Sequence, residues 1–556
     1  MTHEEVDVIV VGSGAGGLTA ALRAAHGGLS VLVLEKSPRY GGTSATSGGG
    51  IWIPCNHLMP GVGIADSNEE ALAYMRELAD GEVPDDNIMA FVDKSPQMLR
   101  WLEDHSEVQY MSMEHYADYY QAVEGAKPGG RSLDPYPYTA KALGEAFRTM
   151  QPSHPQTTVM GMMAYSNIEG AVLLGKRPGW FGLVCKLAVQ YFSDIPWRFQ
   201  SKRSRRLTMG NALIGRLRKS LMKFPVEIRL SAPVKSLMVE NGRVCGVVIE
   251  QGGQVRHIGA EKGVILAAGG FEHSDQLRKK YLPNPTEASW SSASPYNTGD
   301  MLVAAQKLGA KTALLDEAWW GPSMMVDGED RSRQLFTERS MPGAIMVNKD
   351  GKRFVNESVA YTAAVQAMQQ QGNLPAYIVF DSRYKAEYPF GPLLPDGMHL
   401  NFLQPKHVRD GILTKANSIA ELAEKMDVDT TGLKDTVARF NQYATAGKDQ
   451  DFNRGENAYD LLYGDVRISP NPCLAPVIKP PFYAAQVFPG DIGTKGGLLT
   501  NGKAQVVNED GEVIPGLFAI GNTSASVTGR SYPGAGATLG PAMTFGFIAA
   551  ETLLES

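Results

Sequence analysis

At 556 residues the chain is too long for one hydrophobic core, so two or three packed units are expected. Hydrophobic residues at 43% and charged residues at 20% describe an ordinary globular protein, and the net charge of −6 argues against a nucleic-acid binder. Four cysteines, Cys55, Cys185, Cys245 and Cys473, lie far apart without a C-x-x-C pair, which predicts a reducing, cytoplasmic setting and no metal site.

The opening MTHEEVDVIVV places acids ahead of an apolar run that reads as a strand, not as a secretory signal. Val6 to Val11 is a short β-branched run suited to a buried parallel strand. It breaks at Gly12 into a helical pattern, Leu18 to His26, and a second apolar run from Ser30 to Leu34 ends at Glu35. Gly12, Gly14 and Gly17 have the G-x-G-x-x-G spacing: a tight turn, close backbone approach to a pyrophosphate, and close packing of helix on strand. Glu35 stands where a carboxylate accepts hydrogen bonds from a ribose. The next stretch, KSPRYGGTSATSGGGIWIP, brings Gly42, Thr43, Ser44, Ser47, Gly48 and Gly49 into one loop of small residues, able to lay amides and hydroxyls against a flat ligand.

Helical patterns follow at Asn68 to Asp80 and Asp86 to His105, then a cluster of tyrosines, Tyr110, Tyr116, Tyr119 and Tyr120. Residues 171 to 206 carry eight Lys/Arg against the single acid Asp194, interleaved with Trp180, Phe181, Tyr191, Phe192, Trp197 and Phe199. That mixture suits either an anionic membrane surface, with rings at the headgroup level, or a surface hairpin packed on its own domain; both stay open. No uninterrupted apolar run reaches the roughly 18 residues of a spanning helix. From Leu207 the strand pattern resumes, through a helix at GNALIGRLRKSL and hairpin turns at Asn241-Gly242 and Gly252-Gly253, to ILAAGG. Residues 316 to 490 differ in texture, with short strands, Pro-rich loops and amphipathic helices at Ser418 to Met426 and Leu433 to Thr445. The tail then returns to a strand, VIPGLFAIGN, and a last helix with Pro541 in its first turn.

These motifs, GSGAGG followed by Glu35, GGTSATSGG and PGLFAIGNTS, resemble the FAD-binding flavoproteins that include fumarate reductases and 3-ketosteroid dehydrogenases. The resemblance implies an α/β fold: a Rossmann-like FAD-binding domain in two pieces, 1–315 and 493–556, around an inserted α+β catalytic domain, 316–492, with an insertion at 155–206. It implies non-covalent FAD, since Gly41 to Gly50 contains no His for covalent attachment. The cofactor contacts it implies are Gly12, Gly14, Ala15, Gly16, Gly17, Glu35, Lys36, the loop residues Gly42 to Gly49 named above, Val234, Ala268, Gly269, Gly521, Asn522 and Leu539.

Fumarate reductases hold a dicarboxylate with Arg and His. Here Gly493 stands where they carry His, Tyr361 lies in the region of their arginine proton donor, and RSYPGAGAT lacks their substrate arginine. The likeness to the 3-ketosteroid Δ1-dehydrogenases is closer, and covers the chain apart from 155–206. It implies that Tyr361 takes the C2 proton with help from Tyr119, that Tyr532 and the Gly536 amide hold the C3 oxygen, and that an external acceptor such as a quinone reoxidises the flavin. The nearer alternative is a 3-keto-5α-steroid Δ4-dehydrogenase. The further one is a non-catalytic flavin-binding protein held at the inner face of the cell membrane through 171–206.

Overall fold

The structure is a computed structural model that describes residues 4–175 and 177–556. Strand Glu4–Val11, helix Ala15–His26 and strand Val31–Leu34 form the expected opening unit. The helix begins ahead of its apolar pattern, because Gly14, extended at φ −67° and ψ 176°, serves as its N-cap and the small residues Ala15, Gly16 and Gly17 form a buried first turn.

The main sheet runs Glu227–Arg229, Val31–Leu34, Glu4–Val11, Gln254–Leu266. Strand Gln254–Leu266 does two jobs. Its first half pairs antiparallel with Arg243–Gln251 (Val247 opposite Ile258), and its second half pairs parallel with both Glu4–Val11 and Val513–Ala519 (Val264 opposite Leu517). The C-terminal part of the chain thus returns to the sheet on which it began. The parallel strands end side by side at Val11, Leu34, Leu266 and Ala519, and ligands of open α/β sheets bind at such carboxyl ends.

A second, six-stranded antiparallel sheet gathers Ala318–Met324, Arg333–Gln334, Ala344–Val347, Ala376–Asp381, Thr414–Ala416 and Phe482–Thr494. Its long strand Phe482–Thr494 pairs with Ala376–Asp381 near its start and with Ala318–Met324 near its end, and reaches the first sheet, where Thr494 Oγ1 accepts the Phe271 amide at 3.0 Å. Helices Ile419–Met426 and Thr430–Ala446 cover it, the first capped by Ser418, whose side chain accepts the Glu421 amide at 3.1 Å. The last helix, Leu539–Glu555, lies on Ala15–His26. A Cβ on Gly16 would overlap the Ala542 carbonyl, and one on Gly546 the Gly16 carbonyl, so only glycine permits this approach.

The 155–206 segment folds as helices Asn167–Leu174, Trp180–Phe192 and Ile195–Arg198. Part of the cationic reading is corrected. Arg203 donates to the carbonyls of Phe147, Met150 and Gln151 and so ties the segment to the rest of the protein, while Arg205 pairs with Asp194 (2.6 Å from Nε) and Arg206 with Glu169 at 2.8 Å inside the segment, so these guanidinium groups are engaged instead of facing a headgroup layer. Nor is the segment remote from the small-residue loop: Asn167 Nδ2 donates to the Gly48 carbonyl at 2.8 Å. The aromatics divide. Tyr191 is buried and Trp197 packs at a tilt against Phe147, whereas Phe181, Phe192 and Phe199 face outward at 66%, 60% and 88% exposure. Among the described residues, no helix is long and apolar enough to cross a membrane.

Candidate active site

A cavity of about 1270 Å³ opens at the carboxyl ends of the parallel strands. It exceeds the roughly 300–1,000 Å³ that one drug-sized ligand fills, leaving room for a dinucleotide and a second molecule. Gly12, Gly14, Ala15, Gly16, Gly17, Glu35, Lys36, Gly42, Thr43, Ser44, Ser47, Gly48, Val234, Ala268, Gly269, Gly521, Asn522 and Leu539 all line it. Gly49 does not. At φ +68° its Cα faces the Met209–Gly210 backbone, which a Cβ would overlap, so packing by itself requires glycine here.

The cradle fits a dinucleotide by its backbone. Gly12, at φ +109°, turns the chain where a Cβ would overlap the Ala267 carbonyl, whereas at Gly14 a Cβ would meet only Ser44 Oγ, at 3.3 Å, and so looks into the cavity. Glu35 accepts hydrogen bonds from Ser13 N and Oγ (3.1 and 2.5 Å) and from Ser37 N (2.8 Å). These hold its carboxylate at the rim, although burial raises its pKa. Lys36 Nζ is tied to Thr298 (2.6 Å) and Asp300 (2.7 Å).

Asn297 carries no signal in the sequence. Its amide donates to Thr43 Oγ1 at 3.2 Å and to Glu272 Oε1 at 2.6 Å on the cavity wall. Glu272 in turn accepts the Thr494 amide at 3.2 Å, and burial lifts its pKa to about 7. No local motif marks either residue; they meet only because the two sheets abut.

Tyr119, Tyr361 and Tyr532, far apart in sequence, converge with ring centroids 5.1 to 5.4 Å apart. Tyr119 Oη donates to Tyr361 Oη at 3.0 Å, and Tyr361, Thr538 and the Gly536 amide lie close enough to the Tyr532 hydroxyl to offset part of the rise that burial imposes on its pKa. The cluster sits one layer behind the cavity surface, where the lining residues Phe336 (ring 4.5 Å from that of Tyr361), Tyr116 and Thr538 cover it.

Each tyrosine has its own support. Tyr361 is the first residue of helix Tyr361–Gln369, behind a turn in which Glu357 is pinned by Arg353 (2.8 Å) and Arg454 (3.0 Å). Tyr119 follows Asp118, which pairs with Arg131 at 2.8 Å and accepts the Trp52 indole at 2.7 Å; burial lifts Asp118 to about 6 against the pull of Arg131. Burial also drives Tyr361 and Tyr119 well above the usual tyrosine range, and the hydroxyl that Tyr119 donates to Tyr361 only partly offsets it.

The FAD binding domain family matches residues 7–539. A 3-oxosteroid 1-dehydrogenase of Mycobacterium tuberculosis is 40% identical over 564 residues, covering 99% of this chain and 98% of the relative. This chain belongs to that flavoprotein family. A 3-oxosteroid 1-dehydrogenase of Comamonas testosteroni is 39% identical over 567 residues, covering 100% of this chain and 97% of its own length. A crystal structure of 3-ketosteroid delta1-dehydrogenase from Sterolibacterium denitrificans in complex with 1,4-androstadiene-3,17-dione is 45% identical, with a TM-score of 0.96, covering 99% of this chain and 100% of the other. The fold is the α/β flavoprotein fold, the protein is an FAD-dependent oxidoreductase, and its cofactor is FAD.

Proposed function

We propose that this protein introduces the Δ1 double bond into 3-ketosteroids. The convergence of three buried tyrosine hydroxyls and one glycine amide beside a dinucleotide cavity carries this reading. A C–H bond α to a ketone is acidic only if the developing enolate oxygen is stabilised, and donors aimed at it act best where water is excluded. Tyr532 Oη–H and the Gly536 N–H supply two such donors. Gly536, at φ +98°, is held where a Cβ would overlap the Ile51 backbone, so its amide has one orientation. Tyr361 acts as tyrosinate, which the hydroxyl donated by Tyr119 stabilises, and becomes a neutral tyrosine when it takes the C2 proton. Bound FAD would supply a hydride acceptor for the C1 hydrogen. Gly12, Gly14, Thr43, Ser44, Gly269 and Asn522 are read as its principal contacts, and residues 316–492 as the catalytic unit.

An external acceptor of the quinone class would then reoxidise the flavin. The exposed apolar face of Phe181, Val189, Phe192, Ile195 and Phe199 is read as contact with an anionic membrane surface. Residues of the same segment, Val172, Leu173, Trp180 and Val184, line the cavity, so a lipid-soluble steroid would pass from one to the other.

Anaerobic addition of androst-4-ene-3,17-dione should bleach the flavin and yield the 1,4-diene. Bleaching of flavin by a 5α-saturated ketosteroid with only a Δ4 product would favour the Δ4 alternative, and no bleaching by any ketosteroid would leave a binding protein. Sedimentation with anionic liposomes at low salt, lost in the variant F181S/F199S while activity on the soluble ketosteroid persists, tests the membrane contact.

A further inference from the structure

Lys495 follows the long strand Phe482–Thr494 and is completely buried. Its ammonium group is spent on backbone and an aromatic face. Nζ donates to the carbonyls of Arg530 at 2.9 Å and Ser531 at 2.8 Å, and lies 4.3 Å from the centroid of Trp319. The carboxylate that acts on it, Glu317, is committed elsewhere: one oxygen accepts the Trp320 indole at 2.8 Å, the other pairs with Arg530 at 3.1 Å. A buried ammonium is costly, and burial lowers this one to about 7, with Glu317 opposing that shift and Arg530 adding to it. An apolar residue would fill the space without that cost, so the donors themselves matter.

The residues it holds are those that carry Tyr532. The Ser531 carbonyl also accepts Thr528 Oγ1 at 2.9 Å, and on the far side of Tyr532 the Pro533 carbonyl accepts the Tyr119 amide at 2.9 Å and the Tyr74 hydroxyl at 2.8 Å. Trp319, beneath the ammonium, meets the Tyr532 ring edge-on at 4.9 Å and donates its indole N–H to Asn522 Oδ1 at 3.0 Å. Lys495 therefore touches the backbone on one side of Tyr532 and the ring that separates Tyr532 from the cavity-lining Asn522.

We propose that Lys495 is a positioning residue: by clamping the carbonyls of Arg530 and Ser531 and the face of Trp319, it fixes where the Tyr532 hydroxyl points. This rests on the role given to Tyr532 above. Misplacement of a donor by about 1 Å can cost on the order of 10²-fold in rate without comparable loss of binding.

The test is K495M, a side chain of similar length without donors, in the FAD-loaded enzyme. Flavin content, steroid binding by perturbation of the flavin spectrum, and the anaerobic rate of flavin reduction by androst-4-ene-3,17-dione are measured, with Y532F alongside. The expected result is normal flavin content, steroid affinity within about threefold, and reduction slower by about 30- to 100-fold. T528V, which removes the second donor to Ser531 without disturbing a charge, should slow reduction by about threefold to tenfold and decides the matter if K495M fails to hold flavin. A K495M rate within threefold of the parent overturns the proposal, as does a rate loss matched by an equal loss of steroid affinity. Should Y532F itself reduce at the parent rate, the reading of Tyr532 fails first; should Y532F be slow and K495M fast, only the role of Lys495 fails.

Discussion

The flavin cradle and the tyrosine cluster use opposite parts of the peptide unit. The cradle is made of backbone: Gly12 to Gly17, the loop from Gly42 to Gly48, and Gly269 and Gly521 present amides and bare Cα atoms where a side chain would collide or stand in the way. The cluster is made of side chains whose backbones lie in unrelated elements, a loop after Asp118, the first turn of a helix and a glycine-rich approach to the last helix. The contrast predicts different failures. Damage to the cradle should cost the cofactor, and damage to the cluster should cost rate while the cofactor and steroid stay bound.

The largest effect is expected from G12A. The added Cβ overlaps the Ala267 carbonyl at a left-handed φ, so the purified variant should be colourless and release no FAD on denaturation. A yellow, active G12A protein would mean that the cradle tolerates side chains after all. Next comes Y361F, in which the ring is kept and the proton acceptor is lost: kcat should drop by about 10²–10⁴-fold with steroid binding retained. Y532F should lower kcat by about 10²–10³-fold and affect KM less, since its hydrogen bond strengthens as charge reaches the ketone oxygen; a raised KM at unchanged kcat would reduce it to a binding group.

G14A sharpens the line between the two glycines. Its Cβ meets only Ser44, so the fold should survive with an unchanged melting temperature, while FAD affinity falls by about tenfold, roughly 1.4 kcal/mol. Titration of the apoprotein with FAD would measure it. The smallest effect concerns His154 on the cavity wall, which burial and the neighbouring Arg333 and Arg331 depress to about 3. In the unfolded chain it titrates near 6.5. The unfolded state therefore binds the extra proton between those values, and stability is full above about 6.5 and declines as pH falls toward 3. The drop in melting temperature between pH 7.5 and pH 5 should be smaller in H154Q than in the parent; an equal drop would assign the acid sensitivity to other groups.

Much of the cradle could be read from order in the chain, because a strand, a glycine turn, a helix and a strand ending in Glu35 are consecutive and their spacing is itself the geometry. The helix beginning at Ala15 follows from residues within a few positions of each other, whereas the carbonyl that bars a Cβ at Gly12 belongs to the distant Ala267. Gly49 shows the limit of that logic. A glycine in a small-residue loop can be there for a ligand or for a neighbouring backbone, and only the fold shows that Met209 and Gly210, some 160 residues away, leave no room for a Cβ.

The segment 155–206 divides in the same way. Its composition alone established that cations and rings are interleaved, whereas tertiary packing decided which of them are exposed: Arg203 turned inward to three carbonyls and Phe199 turned outward. Tyr119, Tyr361 and Tyr532 were legible as residues through their flanking motifs, but the 3.0 Å contact between two hydroxyls and the upward pull of burial on their pKa values belong to the fold. Lys495 carried no signal in its own sequence, GTKGG. The sequence by itself determined the turns and caps, which depend on local φ and on near neighbours, and the tertiary structure decided desolvation and long-range hydrogen bonding, which depend on what folding brings alongside.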